Sequence, residues 1–160
     1  MKEEALKRIF EFIKDKDNKR HKKDGTFEWK LLFNEPLTKE DLNVKGDLNL
    51  RNTNITHLPE GLKVDGNLDL YHCKHLTSLP KGLKVGSYLW LAETNITSLP
   101  EGLEVGSSLD LSFSKITSLP KGLVVNGDLD LTGTPLADDY NQDELREMVY
   151  PGFIHGEILI

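Results

Sequence analysis

The sequence predicts an α/β-type repeat solenoid organised around a parallel β-sheet. Three observations predict it: a Leu-Pro dipeptide returning every 20 residues with one 21-residue unit, a short Leu-x-Leu segment at a fixed distance after each, and flanks of a different, amphipathic character.

In chain order the N-terminal flank comes first. Leu6, Ile9, Phe10 and Ile13 recur at helical spacing, which predicts a helix over residues 3–16. The stretch KDKDNKRHKKDG, Lys14 to Gly25, follows. Acidic residues interrupt its basic ones and no aromatic is interleaved, so it reads as a solvated loop in preference to a phosphate-binding arm. Phe27, Trp29, Leu31, Leu32 and Phe33 form a bulky apolar cluster, read as an extended piece over residues 26–34 lying on the first repeat. Residues 1–36 make an N-terminal cap, which a solenoid needs because its end repeats otherwise expose core.

Residues 37–136 carry five repeat units. Leu-Pro stands at Leu58-Pro59, Leu79-Pro80, Leu99-Pro100 and Leu119-Pro120, each followed by a charged residue and Gly-Leu. Short alternating segments recur as VKGDLNL, VDGNLDL, VGSYLWL, VGSSLDL and VNGDLDL, beginning at Val44, Val64, Val85, Val105 and Val125. Alternation places Leu48/Leu50, Leu68/Leu70, Leu89/Leu91, Leu109/Leu111 and Leu129/Leu131 on one strand face. A strand this short cannot bury its own leucines. Stacking equivalents about 4.8 Å apart joins them into one core and pairs the backbone between repeats. An aliphatic residue closes each turn: Ile55, Leu76, Ile96, Ile116 and Leu136. The second unit has an extra residue in YHCKHL, which predicts a bulge after its strand.

The C-terminal flank, residues 137–160, predicts a helix at about 138–149 with Leu145, Met148 and Val149 inward. After Pro151-Gly152, IHGEILI matches VNGDLDL position for position, so a sixth strand is expected over residues 156–160. The helix is then an enlarged loop of the fifth unit.

The five units from Val44 to Leu136 resemble the bacterial leucine-rich-repeat family, in the 20-residue LP-x-x-L class found in secreted effectors and in bacterial and phage proteins. The resemblance implies a leucine-rich-repeat solenoid with the parallel sheet on its concave face. It also implies a habit of binding proteins. Where that family often places a ladder Asn, this chain has Thr53, Cys73, Thr94, Ser114 and Thr134, small groups that can still bond the turn backbone.

No chemistry of its own is expected. Related effectors that act as ubiquitin ligases carry a catalytic domain after their repeats, for which this chain leaves no room. Cys73 falls on the ladder position, where a buried structural residue belongs, and a single cysteine excludes an internal disulfide and suits a reducing cytoplasm. His21, His57, His72, His75 and His155 form no metal-ligand pattern, and the nucleotide-loop and nucleophile-elbow motifs are missing. No cofactor and no metal are expected. Nor is a membrane segment, since no apolar run approaches about 20 residues and the N-terminus MKEEALKRIF lacks a signal-peptide core. A net charge of -6 argues against a nucleic acid partner.

With the leucines inward, the outward positions follow. One column reads Asn49, Asp69, Trp90, Asp110, Asp130, Leu159, and its neighbour reads Asp47, Asn67, Tyr88, Ser108, Asp128, Glu157. Six carboxylates here meet no basic residue, and Tyr71, Tyr88, Trp90 and Phe113 stand among them. Trp and Tyr are the types most common at binding hot spots. The expected function is therefore a non-catalytic protein-interaction module, with Tyr71, Tyr88, Trp90, Asp69, Asp110, Asp130 and Phe113 meeting a partner protein of basic surface. Two alternatives stand beside it. One is a nucleic-acid mimic occupying the basic groove of a nuclease or regulator. The other is calcium binding by Asp110 and Asp130, although calcium takes 6–8 oxygens. The bland reading is that Asp and Asn merely keep an exposed sheet soluble.

Overall fold

The computed structural model describes residues 27–32 and 34–160. The expected helix over 3–16, the charged loop from Lys14 to Gly25 and Phe33 lie outside the described residues. The chain divides into two compact units, Met1–Asp41 and Leu42–Ile160.

In the first unit Phe27–Leu32 is a helix, α1, where the sequence suggested an extended piece. The apolar cluster fits helical spacing as well as alternation, because Phe27 and Leu31 are four apart and share a helix face. Glu28 in the first turn and Lys30 in the last suit the helix dipole and tip the balance. Lys30 Nζ reaches the Asp41 carboxylate at 2.7 Å, and Thr38 donates to it from both N–H and hydroxyl. These donors, Lys30 foremost, hold the Asp41 carboxyl down at about 2.

The second unit is a solenoid of parallel-strand coils stacked at about 20-residue spacing. Each coil supplies two two-residue strands. One set, β1 (Asn43–Val44), β3 (Lys63–Val64), β5 (Lys84–Val85), β7 (Glu104–Val105), β9 (Val124–Val125) and β11 (Phe153–Ile154), forms a parallel sheet in that order. The other set, β2 (Leu48–Asn49), β4 (Leu68–Asp69), β6 (Leu89–Trp90), β8 (Leu109–Asp110), β10 (Leu129–Asp130) and β12 (Ile158–Leu159), forms a second. Each segment that reads as one alternating run is therefore two strands meeting at a turn. The small residues at the turn let backbone stack on backbone: Ser87 N–H donates to Gly66 O at 3.1 Å and Ser107 N–H to Ser87 O at 3.1 Å. A Cβ on Gly106 would strike the carbonyl of Gly86.

Register keeps like over like. Leu48, Leu68, Leu89, Leu109, Leu129 and Ile158 pair in sequence along the second sheet, and none of the six is more than 1% exposed. Leu50, Leu70, Leu91, Leu111 and Leu131 are equally buried, and Val64, Val85, Val105 and Val125 line the core from the other sheet. Removing a Leu side chain from water stabilises by roughly 1.5–3 kcal/mol, so these ladders dominate the folding energy. Only neighbouring coils realise it.

The insertion in the second coil is absorbed at Lys74-His75, both exposed, while Cys73 keeps the buried ladder position beside Leu76. In the last coil the expected single helix is two, α2 (Pro135–Asp139) and α3 (Gln142–Met148). Tyr140 and Asn141 are extended between them, and Asn141 restarts the helix through a capping box with Glu144. Leu145 and Val149 are buried as expected. Arg146 donates to the carbonyls of Ile154 and Gly156, tying α3 to the last coil. Ile158 and Leu159 continue the sheet beside Leu129 and Asp130. Among the described residues no helix is long and apolar enough to cross a membrane.

Candidate functional site

The outer face of the second sheet carries the two polar columns, and most of their members do local structural work. In the column that begins at Asp47 each acceptor bonds the N–H of its counterpart one coil later. Asn67 N–H reaches Asp47 Oδ1 at 2.8 Å, Tyr88 N–H reaches Asn67 Oδ1 at 3.1 Å, Asp128 N–H reaches Ser108 Oγ at 3.0 Å, and Glu157 N–H reaches Asp128 Oδ1 at 2.8 Å. In the column that begins at Asn49 each Asn or Asp side chain accepts from the N–H two residues ahead, closing its own turn. The pairs are Arg51 to Asn49 at 3.2 Å, Tyr71 to Asp69 at 3.0 Å, Ser112 to Asp110 at 2.9 Å and Thr132 to Asp130 at 2.9 Å.

One coil departs from both patterns. At Tyr88 and Trp90 an aromatic ring replaces the acceptor, so neither side chain can make its column's bond. The rings stack with centroids 5.5 Å apart and 6° between their planes, and Tyr88 is 42% exposed. Trp90 lies in register between Asp69 and Asp110. The structure thus brings together Tyr88, Trp90, Asp69 and Asp110, with Asp130 beside Asp110 on the next strand.

Tyr71 and Phe113 sit at the edge where the chain turns off this face. The residues Asn52, His72, Glu93, Phe113 and Gly133 occupy equivalent positions, all in the left-handed region with φ between 55° and 68°. Four of the five are not glycine, an uncommon density of a conformation that L-residues avoid. The Phe113 ring is 61% exposed and lies over Gly133, where a Cβ would come within 2.7 Å of it. Tyr71 donates to Glu93 Oε1 at 2.5 Å, His72 Nδ1 meets Glu93 Oε2 at 2.9 Å, and the Arg51 guanidinium covers the Tyr71 ring at 4.3 Å. The Tyr71 bond and then the His72 bond hold the Glu93 carboxyl below its ordinary range, and the same Glu93 bond pushes the Tyr71 hydroxyl up. An open depression lined by Lys74, Glu93, Thr94, Asn95, Phe113 and Lys115 adjoins this edge.

Sequence reasoning placed Tyr71 on the face but missed its partners Glu93 and Arg51. The readable signal was that residues one coil apart become neighbours: Tyr71 and Glu93 differ by 22 positions, close to one repeat.

Cys73 is buried, its Sγ donating to Leu50 O at 3.0 Å, and burial raises its thiol pKa. Its counterparts Thr53, Thr94 and Thr134 donate to the carbonyl three residues back at 2.7 Å. Among the described residues no group of three or more His, Cys, Asp or Glu side chains is placed to hold a metal ion. Compared with protein-family models, curated proteins and solved structures, the chain matches none.

Proposed function

We propose that this protein is a non-catalytic interaction module of the leucine-rich-repeat type, working in the cytoplasm and binding a partner protein on the strand face around Tyr88 and Trp90. One observation carries the reading. In the coil where both columns lose their structural acceptor, the replacements are two large aromatics stacked on a polar surface. Local bonding explains Asp69, Asp110 and Asp130 without any partner; it does not explain Tyr88 or Trp90. An exposed Tyr stacked on a half-buried Trp suits the anchor of an interface, with the surrounding carboxylates steering a basic partner toward it. The turn-closing role of the Asp column also weakens the nucleic-acid-mimic reading, since those carboxylates are accounted for by the coil itself.

The test is affinity capture from lysate of the source cells, comparing the wild type with the Tyr88→Ala, Trp90→Ala variant after both are shown to be folded. The reading expects a partner that the variant loses. A partner kept by both proteins moves the working surface off this face and sinks the proposal.

A further inference from the structure

We propose that the Tyr88–Trp90 pair receives the guanidinium of an arginine on a partner peptide, the planar cation lying against the aromatic surface and pairing with Asp69 or Asp110. The inference rests on the reading of the strand face as a binding surface and specifies what that surface takes.

Four observations support it. Asp69 and Asp110 flank Trp90 in register on the two neighbouring strands, about 4.8 Å to either side. Each uses Oδ1 for its own turn, and a carboxylate has capacity for about four hydrogen bonds, so each can take a further donor. Neither polar column contributes a lysine or arginine to this sheet face, so a cation arriving there finds no competitor within the columns. The chain also already makes the stacking half of this arrangement beside this face. There Arg51 stacks 4.3 Å over the Tyr71 ring, and Tyr71 is itself bonded to the Glu93 carboxylate.

Arginine fits better than lysine on physical grounds. Its guanidinium is flat, weakly hydrated and forked, so it can stack on a ring and bond a carboxylate at the same time, whereas an ammonium is a strongly hydrated point charge. A nucleobase would also stack on the pair, but its phosphates would meet the acidic columns.

The test uses the full chain and short glycine peptides that carry one central arginine, lysine, citrulline or norleucine. Binding is followed by the Trp90 indole N–H resonance, assigned by its survival in Trp29→Phe. The expected result is saturable movement with the arginine peptide, binding weaker by about tenfold with citrulline, its neutral isostere, and weaker also with lysine. The Asp69→Asn, Asp110→Asn variant should lower the arginine peptide to the citrulline level. That variant should stay folded, because Asn49 closes the same turn with an amide. No movement with arginine, equal binding of arginine and citrulline, a preference for norleucine, or indifference to the Asn substitutions would each overturn the inference. Failure here with a partner still lost in the Tyr88→Ala, Trp90→Ala capture would leave the interaction face standing and remove only the arginine.

Discussion

Glu93 accepts the Tyr71 hydroxyl at 2.5 Å across neighbouring coils, and this bond is the first cause of the raised Tyr71 pKa. The carboxylate stabilises the protonated phenol and resists the phenolate. Glu93→Gln should therefore return the Tyr71 titration toward its ordinary value of 10.0, read as the difference between ultraviolet titrations with and without Tyr71→Phe. A Tyr71 midpoint unmoved by Glu93→Gln would contradict the assignment. The same bond ties Glu93 to stability in the opposite pH range. Its depressed pKa means that its contribution is present above its ordinary value of 4.5 and is lost as pH falls through the lowered one.

Ser114 Oγ is buried and has no hydrogen-bond partner, while Thr53, Thr94 and Thr134 at the same position each donate to a backbone carbonyl at 2.7 Å. Ser114→Thr should bring the hydroxyl into that bond, because the branched side chain has fewer rotamers. A gain of about 0.5–1.5 kcal/mol in urea unfolding is expected. A loss would show that this coil has no room for the methyl.

Gly133 holds φ +68° beneath the Phe113 ring. The equivalent positions accept Asn52, His72 and Glu93, so the backbone conformation alone does not demand glycine. The ring does. Gly133→Ala should cost about 1–3 kcal/mol in the wild type and clearly less in a Phe113→Ala background, a coupling that a double-mutant cycle measures. Equal costs in both backgrounds would mean the ring moves aside freely.

The leucine ladder was legible because hydrophobic periodicity is a backbone-scale signal repeated at every coil. The first sheet was not, since a two-residue strand with one inward Val leaves too little pattern to separate from the Leu-x-Leu strand after it. The division between α2 and α3 was readable in principle from Asn141 and Glu144, a capping box inside the run treated as one helix. At α1 alternation and helical spacing fit the same apolar residues, and only local charge decided between them. The positions and side-chain types of the candidate face were legible from register alone. The structural use of Asp69, Asp110 and Asp130 was obscured because composition reports charge and not which N–H a carboxylate closes on. The left-handed positions had no composition signature, because Asn52, His72, Glu93 and Phe113 share no residue type and only Gly133 announces the conformation.

Tyr88 and Trp90 stand where the coil would otherwise place structural acceptors, and we propose that they are there for a partner. The most direct test is urea unfolding of the Tyr88→Ser, Trp90→Asn variant, which restores the residues that Ser108 and Asn49 exemplify in other coils. Two regained hydrogen bonds at about 0.5–1.5 kcal/mol each should offset the lost ring pair, about 0.5–1.5 kcal/mol, together with the partial burial of the Trp90 ring. Stability within about 1 kcal/mol of wild type, or above it, is expected. A loss of more than about 2 kcal/mol would show that the aromatic pair holds the coil together and would contradict the claim.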